Sequence, residues 1–297
     1  MGAATLRAMQ ALSSIAPDAI RAPAPGMRRI RPSRGLVPID FRELWDYRSL
    51  LFLFMWRDIK TRYRQTFLSG FWAIFRPLSS MVLFSVIFGG IAGIKSGSDI
   101  PYPLFVYPGV ILWGYFASAV TGACLSLGSN GGLLAKAYFP RLYAPLSTVT
   151  APLTDFVLSL VVLFGLFAWY QRFPSWHTIF LPVVVLLALL IALGIGLWVT
   201  GLAVKYRDVG FAIPFLVQMW LYATPVIYPV SAVPERYRWL LSLNPMSAVV
   251  EGCRWALLDY PFPSAQITAT SLGTAFVLVG VGLYIFRRSE RTVVDLM

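Results

Sequence analysis

Few side chains in this 297-residue sequence are equipped for chemistry, and each has a setting that narrows its use. Asp155 is the one acid well inside a long apolar run. A carboxylate at membrane depth is costly, so it reads either as a proton relay or as an ion-pair or hydrogen-bond partner near a polar edge, with Thr154 beside it. Arg57, Lys60 and Arg64 recur at i, i+3 and i+7, which places them on one face of a helix. Such a stripe faces water and headgroups, or it meets an anionic substrate group. Glu235, Glu251 and Arg254 are the only charged groups of another segment that could converge as an enzyme's would. His177 beside Trp176 stands at an apolar boundary, where an interfacial role is expected. Cys124 and Cys253 show no metal-ligand spacing, and no disulfide is expected of them. Gly89, Gly90 and Gly93 precede Lys95-Ser96, but Ile94 occupies the place where a phosphate loop needs Gly before its Lys. No metal site, nucleotide motif or intramembrane chain of Asp, Glu and His remains.

The elements that hold these residues are apolar blocks. Six of them, at 77–95, 102–126, 146–170, 178–204, 209–230 and 266–286, have the roughly 20 residues that carry a helix through a bilayer core. With 58% hydrophobic and 13% charged residues, the chain is expected to be an all-α integral membrane protein of six transmembrane helices. The net charge of +12 is distributed by side: 13 of the 25 Lys and Arg lie in residues 1–76. Lys136, Arg141, Lys205, Arg207, Arg287, Arg288 and Arg291 share their side, whereas Lys95, Arg172, Arg236, Arg238 and Arg254 fall on the other. The positive-inside rule then puts both termini in the cytoplasm. Basic charge is topology here, and without a basic, aromatic-interleaved domain outside the membrane nucleic acid is not a partner.

Residues 1–35 read as a disordered basic tail without a cleavable signal peptide, and residues 36–297 as the membrane domain. The tail's Arg-rich composition resembles a transit peptide. Gly2 does not make a myristoylation site, because Leu6 stands where Ser or Thr is needed. Residues 40–64 are expected to form an amphipathic interfacial helix, with Asp40 as its N-cap. Arg76-Pro77 marks the start of the first span, with Arg76 snorkelling to the interface. Leu133 to Tyr143 is amphipathic, basic and aromatic, and either lies on headgroups or docks into a partner. The fifth span contains Pro214 and runs into Thr224-Pro225-Val226-Ile227-Tyr228-Pro229, so its backbone ladder is broken and it is a candidate pore wall. Residues 231–266 are too charged to span and too apolar for a free loop; short re-entrant external helices are expected, turning at Asn244-Pro245. Trp72, Phe75, Phe84, Phe88, Trp113, Tyr115, Phe116, Trp220, Tyr222 and Tyr228 cluster in or beside the first, second and fifth spans. Each alone is a packing or belt residue, but the cluster suggests a slippery surface for sugar rings.

From about Leu44 to Arg288 the chain resembles the permease subunits of type 2 ABC exporters for O-antigen, capsule and teichoic acid polysaccharides. Arg57-Asp58-Ile59-Lys60-Thr61-Arg62-Tyr63-Arg64-Gln65, then Phe71-Trp72 and Arg76-Pro77, carry the likeness together with Tyr206-Arg207-Asp208. Thr224 to Pro229, Asn244-Pro245-Met246 and Glu251-Gly252-Cys253-Arg254 complete it. The resemblance implies a homodimer in the bacterial cytoplasmic (inner) membrane, paired with two copies of a nucleotide-binding ATPase that holds the ATP and Mg this chain does not. It implies that Arg57, Lys60, Arg62 and Arg64 contact the pyrophosphate of an undecaprenyl-linked glycan, O-antigen before capsule or teichoic acid. Trp72, Phe75, Phe84, Phe88, Trp220, Tyr222 and Tyr228 then line the conduit. Leu133, Lys136, Tyr138, Phe139, Pro140, Arg141 and Tyr143 become the ATPase coupling segment. Rival readings are an ion-driven or passive transporter and an integral membrane glycan ligase.

Overall fold

The computed structural model of the chain describes residues 45–64, 69–129 and 140–296. The basic tail, residues 40–44 of the expected interfacial helix, and Leu133, Lys136, Tyr138 and Phe139 lie outside the described residues. Among the described residues every regular element is helical. They are α1 (Arg48–Arg64), α2 (Ser69–Phe84, continued by a π turn over Ser85–Ile91), α3 (Tyr102–Ser129), α4 (Tyr143–Thr150), α5 (Leu153–Trp169) and α6 (Leu181–Lys205). They are followed by α7 (Val209–Ala223), α8 (Arg238–Leu243), α9 (Pro245–Leu258) and α10 (Ala265–Leu296).

Five helical stretches are long and apolar enough to cross a bilayer: Gly70–Ile91, Tyr102–Ser129, Tyr143–Trp169, Trp176–Lys205 and Ala265–Ser289. The fifth block of the sequence does not become a sixth such helix, because α7 stops at Ala223 and is only 15 residues long. Thr224 precedes a proline and is pushed to an extended conformation (φ −105°, ψ 141°), and Pro225 has no N–H to continue the ladder. A second expectation shifts the other way. α2 begins at Ser69, so Pro77 is inside the helix and Arg76 is about 10 Å along it, seven residues past the start. Pro77 cannot bond the carbonyl of Ala73, four residues back. Ser159 Oγ of α5 lies 3.4 Å from that carbonyl and 2.8 Å from the Asp155 carbonyl, to which its single proton is better directed.

α3 is the axis of the fold, apolar around its whole circumference and enclosed by α2, α4, α5, α6, α7 and α9. α6 and α10 form the most extensive helix pair. α9, one of the expected short external helices, is buried from Pro245 through Gly252 to Leu257 with few interruptions, and the buried Cys253 lies inside it.

Candidate functional site

Two polar assemblies and one recess stand out in this apolar bundle. The first assembly fastens α1 to α4 and α5. Phe54 of α1 packs on Tyr143, which is 1% exposed, so Tyr143 presents no ring to an outside partner, contrary to its expected place in a docking segment. One turn on, the Ser147 hydroxyl donates to Asp58 Oδ2 at 2.8 Å. At the C-terminal end of α1, Arg62 Nη2 pairs with Asp155 Oδ2 at 2.9 Å. The Tyr63 hydroxyl donates to Asp155 Oδ1 and lies 3.2 Å from Thr154 Oγ1. Burial, and then the bond to Asp155, hold the Tyr63 hydroxyl above its ordinary pKa, so it stays a donor. Asp155 is thus an ion-pair and hydrogen-bond partner, the second of its two readings.

The expected cationic stripe is divided by these contacts. Arg57 folds onto its neighbour, with Nε and Nη2 donating to Asp58 Oδ1 at 3.0 and 2.7 Å, and its guanidinium lies 4.7 Å from the Phe54 ring centroid. Lys60 is exposed, Arg62 is held by Asp155, and the side chain of Arg64 lies outside the described atoms. A double-mutant cycle tests the latch. The Arg62 and Asp155 side chains are 35% and 26% exposed, so water screens the pair, and Arg62→Ala with Asp155→Ala should show about 0.5–1 kcal/mol of coupling in thermal unfolding. Strict additivity of the two losses would remove the ion pair from the argument.

The second assembly closes the break after α7. Ending a helix at a proline strands carbonyls, and each one here has a named donor. Asn244 Nδ2 reaches Thr224 Oγ1 at 2.9 Å and the Ala223 carbonyl at 3.3 Å, while its Oδ1 caps α9 by accepting from Met246 N–H at 3.1 Å. Arg254 Nη1 donates to the Pro225 carbonyl at 2.7 Å and Nη2 to that of Val226 at 2.5 Å. Its Nε donates to the Phe105 carbonyl at 3.1 Å, and Nη1 also meets Glu251 Oε1 at 2.8 Å. Tyr102 O–H donates to the Ile227 carbonyl at 2.6 Å. Arg254 is fully buried and Glu251 is 4% exposed, so neither is open to a substrate as an enzyme would need.

The aromatic residues separate into groups. Phe71, Trp72 and Phe75 form an exposed ladder on α2, with Phe71 and Phe75 stacked at 5.2 Å. Phe84 and Phe88 follow at 6.0 Å. Trp220 is taken up in packing, edge-on to Trp113 at 6.1 Å and Phe116 at 5.4 Å, and so joins α7 to α3. Tyr228 O–H donates back to the Tyr222 carbonyl at 3.2 Å across the break. Of the seven expected conduit residues, only Trp72 and Phe84 meet in one recess, a cavity of about 510 Å³ between α2, α3, α5 and α7 with the end of α1 at its lip. Arg62, Arg76, Asp155 and Gln218 also line it. Arg76 and Gln218 went unnoticed as ligand contacts in the sequence, since one reads as a boundary arginine and the other as an isolated amide.

At the far end of α5, Ser175, His177 and Asp259 converge without forming a relay. Ser175 Oγ at 2.7 Å and Asp259 Oδ1 at 3.1 Å approach the same ring nitrogen, Nδ1, whereas base catalysis would need one on each nitrogen. The ring lies between Trp176 and Trp255, at 4.2 and 4.5 Å, in keeping with the interfacial role expected of it.

A sequence model described as ABC-2 type transporter matches residues 49–258. The chain is 31% identical over 254 residues to the O-antigen export system permease protein RfbA of Myxococcus xanthus, covering 84% of this chain and 96% of that one. It is 26% identical over 242 residues to the protein of the same name from Klebsiella pneumoniae, with 81% and 92% covered. It is also 26% identical over 240 residues to the polysialic acid transport protein KpsM of Escherichia coli, with 79% and 91% covered.

Proposed function

Since the chain belongs to the ABC-2 type transporter family, we propose that it is the permease of an exporter that carries undecaprenyl-diphosphate-linked O-antigen across the cytoplasmic membrane. It is a multi-pass protein of the bacterial inner membrane, and a transport subunit by family. One observation carries the cargo assignment: the 31% identity to an O-antigen export permease extends over 96% of that protein's length. A capsule polysaccharide is the second reading, supported by the similarity to the polysialic acid transport protein.

In this reading two copies of the chain pair around a conduit. The broken end of α7 completes the sixth crossing, and both termini face the cytoplasm. Two copies of a separate ATPase hold ATP and Mg. A permease of this kind changes state only through contacts that differ between the nucleotide states of its partner. Residues 133–142 receive that difference, and Tyr143 passes it on from within the bundle. Tyr143 against Phe54, Ser147 on Asp58, and Asp155 on Arg62 and Tyr63 make α1 follow α4 and α5, which supports a lever running from the coupling segment to the cytoplasmic gate.

The test uses the permease copurified with its ATPase and reconstituted with lipid-linked glycan. Replacing Phe139 and Arg141 with Ala should leave a folded complex that still hydrolyses ATP while export falls on the order of tenfold, the size of an ordinary allosteric coupling. Unchanged export in that variant would remove the coupling assignment. Export by vesicles holding this subunit alone would remove the ATP-driven mechanism.

A further inference from the structure

The recess between α2, α3, α5 and α7 lies within one protomer, and its lining is mixed in a way that suits one class of ligand. Its volume of about 510 Å³ falls in the roughly 300–1,000 Å³ range of small-molecule sites, too small for a polymer and right for one headgroup. Arg76 is exposed at its edge, and its guanidinium makes no ion pair or hydrogen bond among the described residues. Arg62 stands at the same opening, paired with Asp155. A diphosphate arriving there finds one free guanidinium and a second that it can win from Asp155, and guanidinium and phosphate form paired, charge-assisted bonds. The lining includes an indole at Trp72 and an amide at Gln218, the combination of groups that suits the C–H face and hydroxyls of a pyranose. Trp113 and Tyr115 border the same space, and their Nε1–H and O–H are buried without a hydrogen-bond partner among the described residues. An unmet buried donor is costly, and a small rotation towards a bound sugar would relieve it.

We propose that this recess holds the proximal sugar and diphosphate of the lipid-linked cargo, the diphosphate on Arg76 and Arg62 and the sugar against Trp72, Gln218 and Trp113. The proposal rests on the cargo reading above and adds a docking site for the cargo's head inside each protomer. Asp155 then has a second duty. It holds Arg62 until the diphosphate takes it, so recognition of cargo and release of α1 are one exchange of partners.

Binding is measured with the full chain in phosphatidylcholine nanodiscs, using farnesyl diphosphate and its N-acetylglucosamine-bearing form. Arg76→Gln should weaken both probes about tenfold, as loss of a charge-assisted contact does, and Arg76→Lys should regain part of the loss. Trp113→Phe should weaken the sugar-bearing probe and leave farnesyl diphosphate bound as in wild type. Asp155→Asn keeps an acceptor for Tyr63, frees Arg62, and should tighten both probes. Unaltered binding in a folded Arg76→Gln protein would overturn the recess; if Arg57→Gln or Lys60→Gln weakened binding instead, the cargo reading would survive its fall. Failure of wild type to bind either probe would overturn both. Equal displacement of the probes by phosphatidylglycerol would reassign the recess to membrane lipid and overturn the proposal.

Discussion

Arg254→Ala leaves little or no folded protein in the membrane. The substitution strips two carbonyls, those of Pro225 and Val226, of their donor, takes a second donor from the helical Phe105 carbonyl, and leaves Glu251 as a buried carboxylate without its cation. Breaking one side of a buried pair costs about 3–5 kcal/mol, and each stranded buried carbonyl about 1–3 kcal/mol more, though such terms do not add fully. Against a total stability of about 5–15 kcal/mol, the loss is decisive. Detergent-extracted protein analysed by size-exclusion chromatography should show aggregate or nothing where wild type gives a single peak. Arg254→Lys retains the charge but has no planar fork, and should be intermediate. The double variant Glu251→Gln with Arg254→Met separates the two causes. It removes the charge problem and keeps the volume, yet the carbonyls remain unmet, so it should stay well below wild type. Wild-type stability in that double variant would show that the ion pair, rather than the anchoring of the broken helix, is what Arg254 supplies.

That network also shows how far local pattern carries. The break itself is legible, because two prolines within five residues at 225 and 229 forbid a continuous helix. Its partner is not legible, because Arg254 lies 29 residues beyond Pro225 and, with Glu251 at i−3, reads as one of the charged groups of a short external helix. Hydropathy placed the long helices to within a few residues, since the length needed to cross a bilayer is a property of each segment alone. It misplaced the start of α2, where Arg76-Pro77 looks like a boundary although the helix begins at Ser69 and carries Pro77 inside it. Helical face and composition speak for Arg57 and Tyr143, and family resemblance alone for Arg62. Asp58, Asp155 and Phe54 decided their actual roles, two of them through contacts made only after the helices pack. The recess is the least legible feature, because its lining comes from five helices and its two unpaired donors look like any other aromatic side chains.

Gly282→Ala should fail nearly as badly as Arg254→Ala, for a reason that involves no charge. Helices in a bilayer gain little from excluding water and associate through close packing, which small residues permit. α6 and α10 use this at Gly194 and Gly282, where the two backbones touch: a Cβ built on Gly282 collides with the Gly194 carbonyl, and one built on Gly194 comes within 2.8 Å of the Val279 nitrogen. The obstacle is backbone on both sides, so no rotamer relieves it. Overpacking of this kind costs about 1–3 kcal/mol or more, and here whole helices must separate. Gly280 provides the control on the same helix, since a Cβ there meets nothing within 4 Å, and Ala should be neutral or gain up to about 1 kcal/mol in helix propensity. Thermal unfolding of the two variants in the same detergent decides the matter. A Gly282→Ala protein as stable as Gly280→Ala would mean that α6 and α10 can slide apart at little cost. The proposed lever from Tyr143 through α1 needs the reverse, because a helix displaced by a partner transmits its motion only against a frame that does not yield.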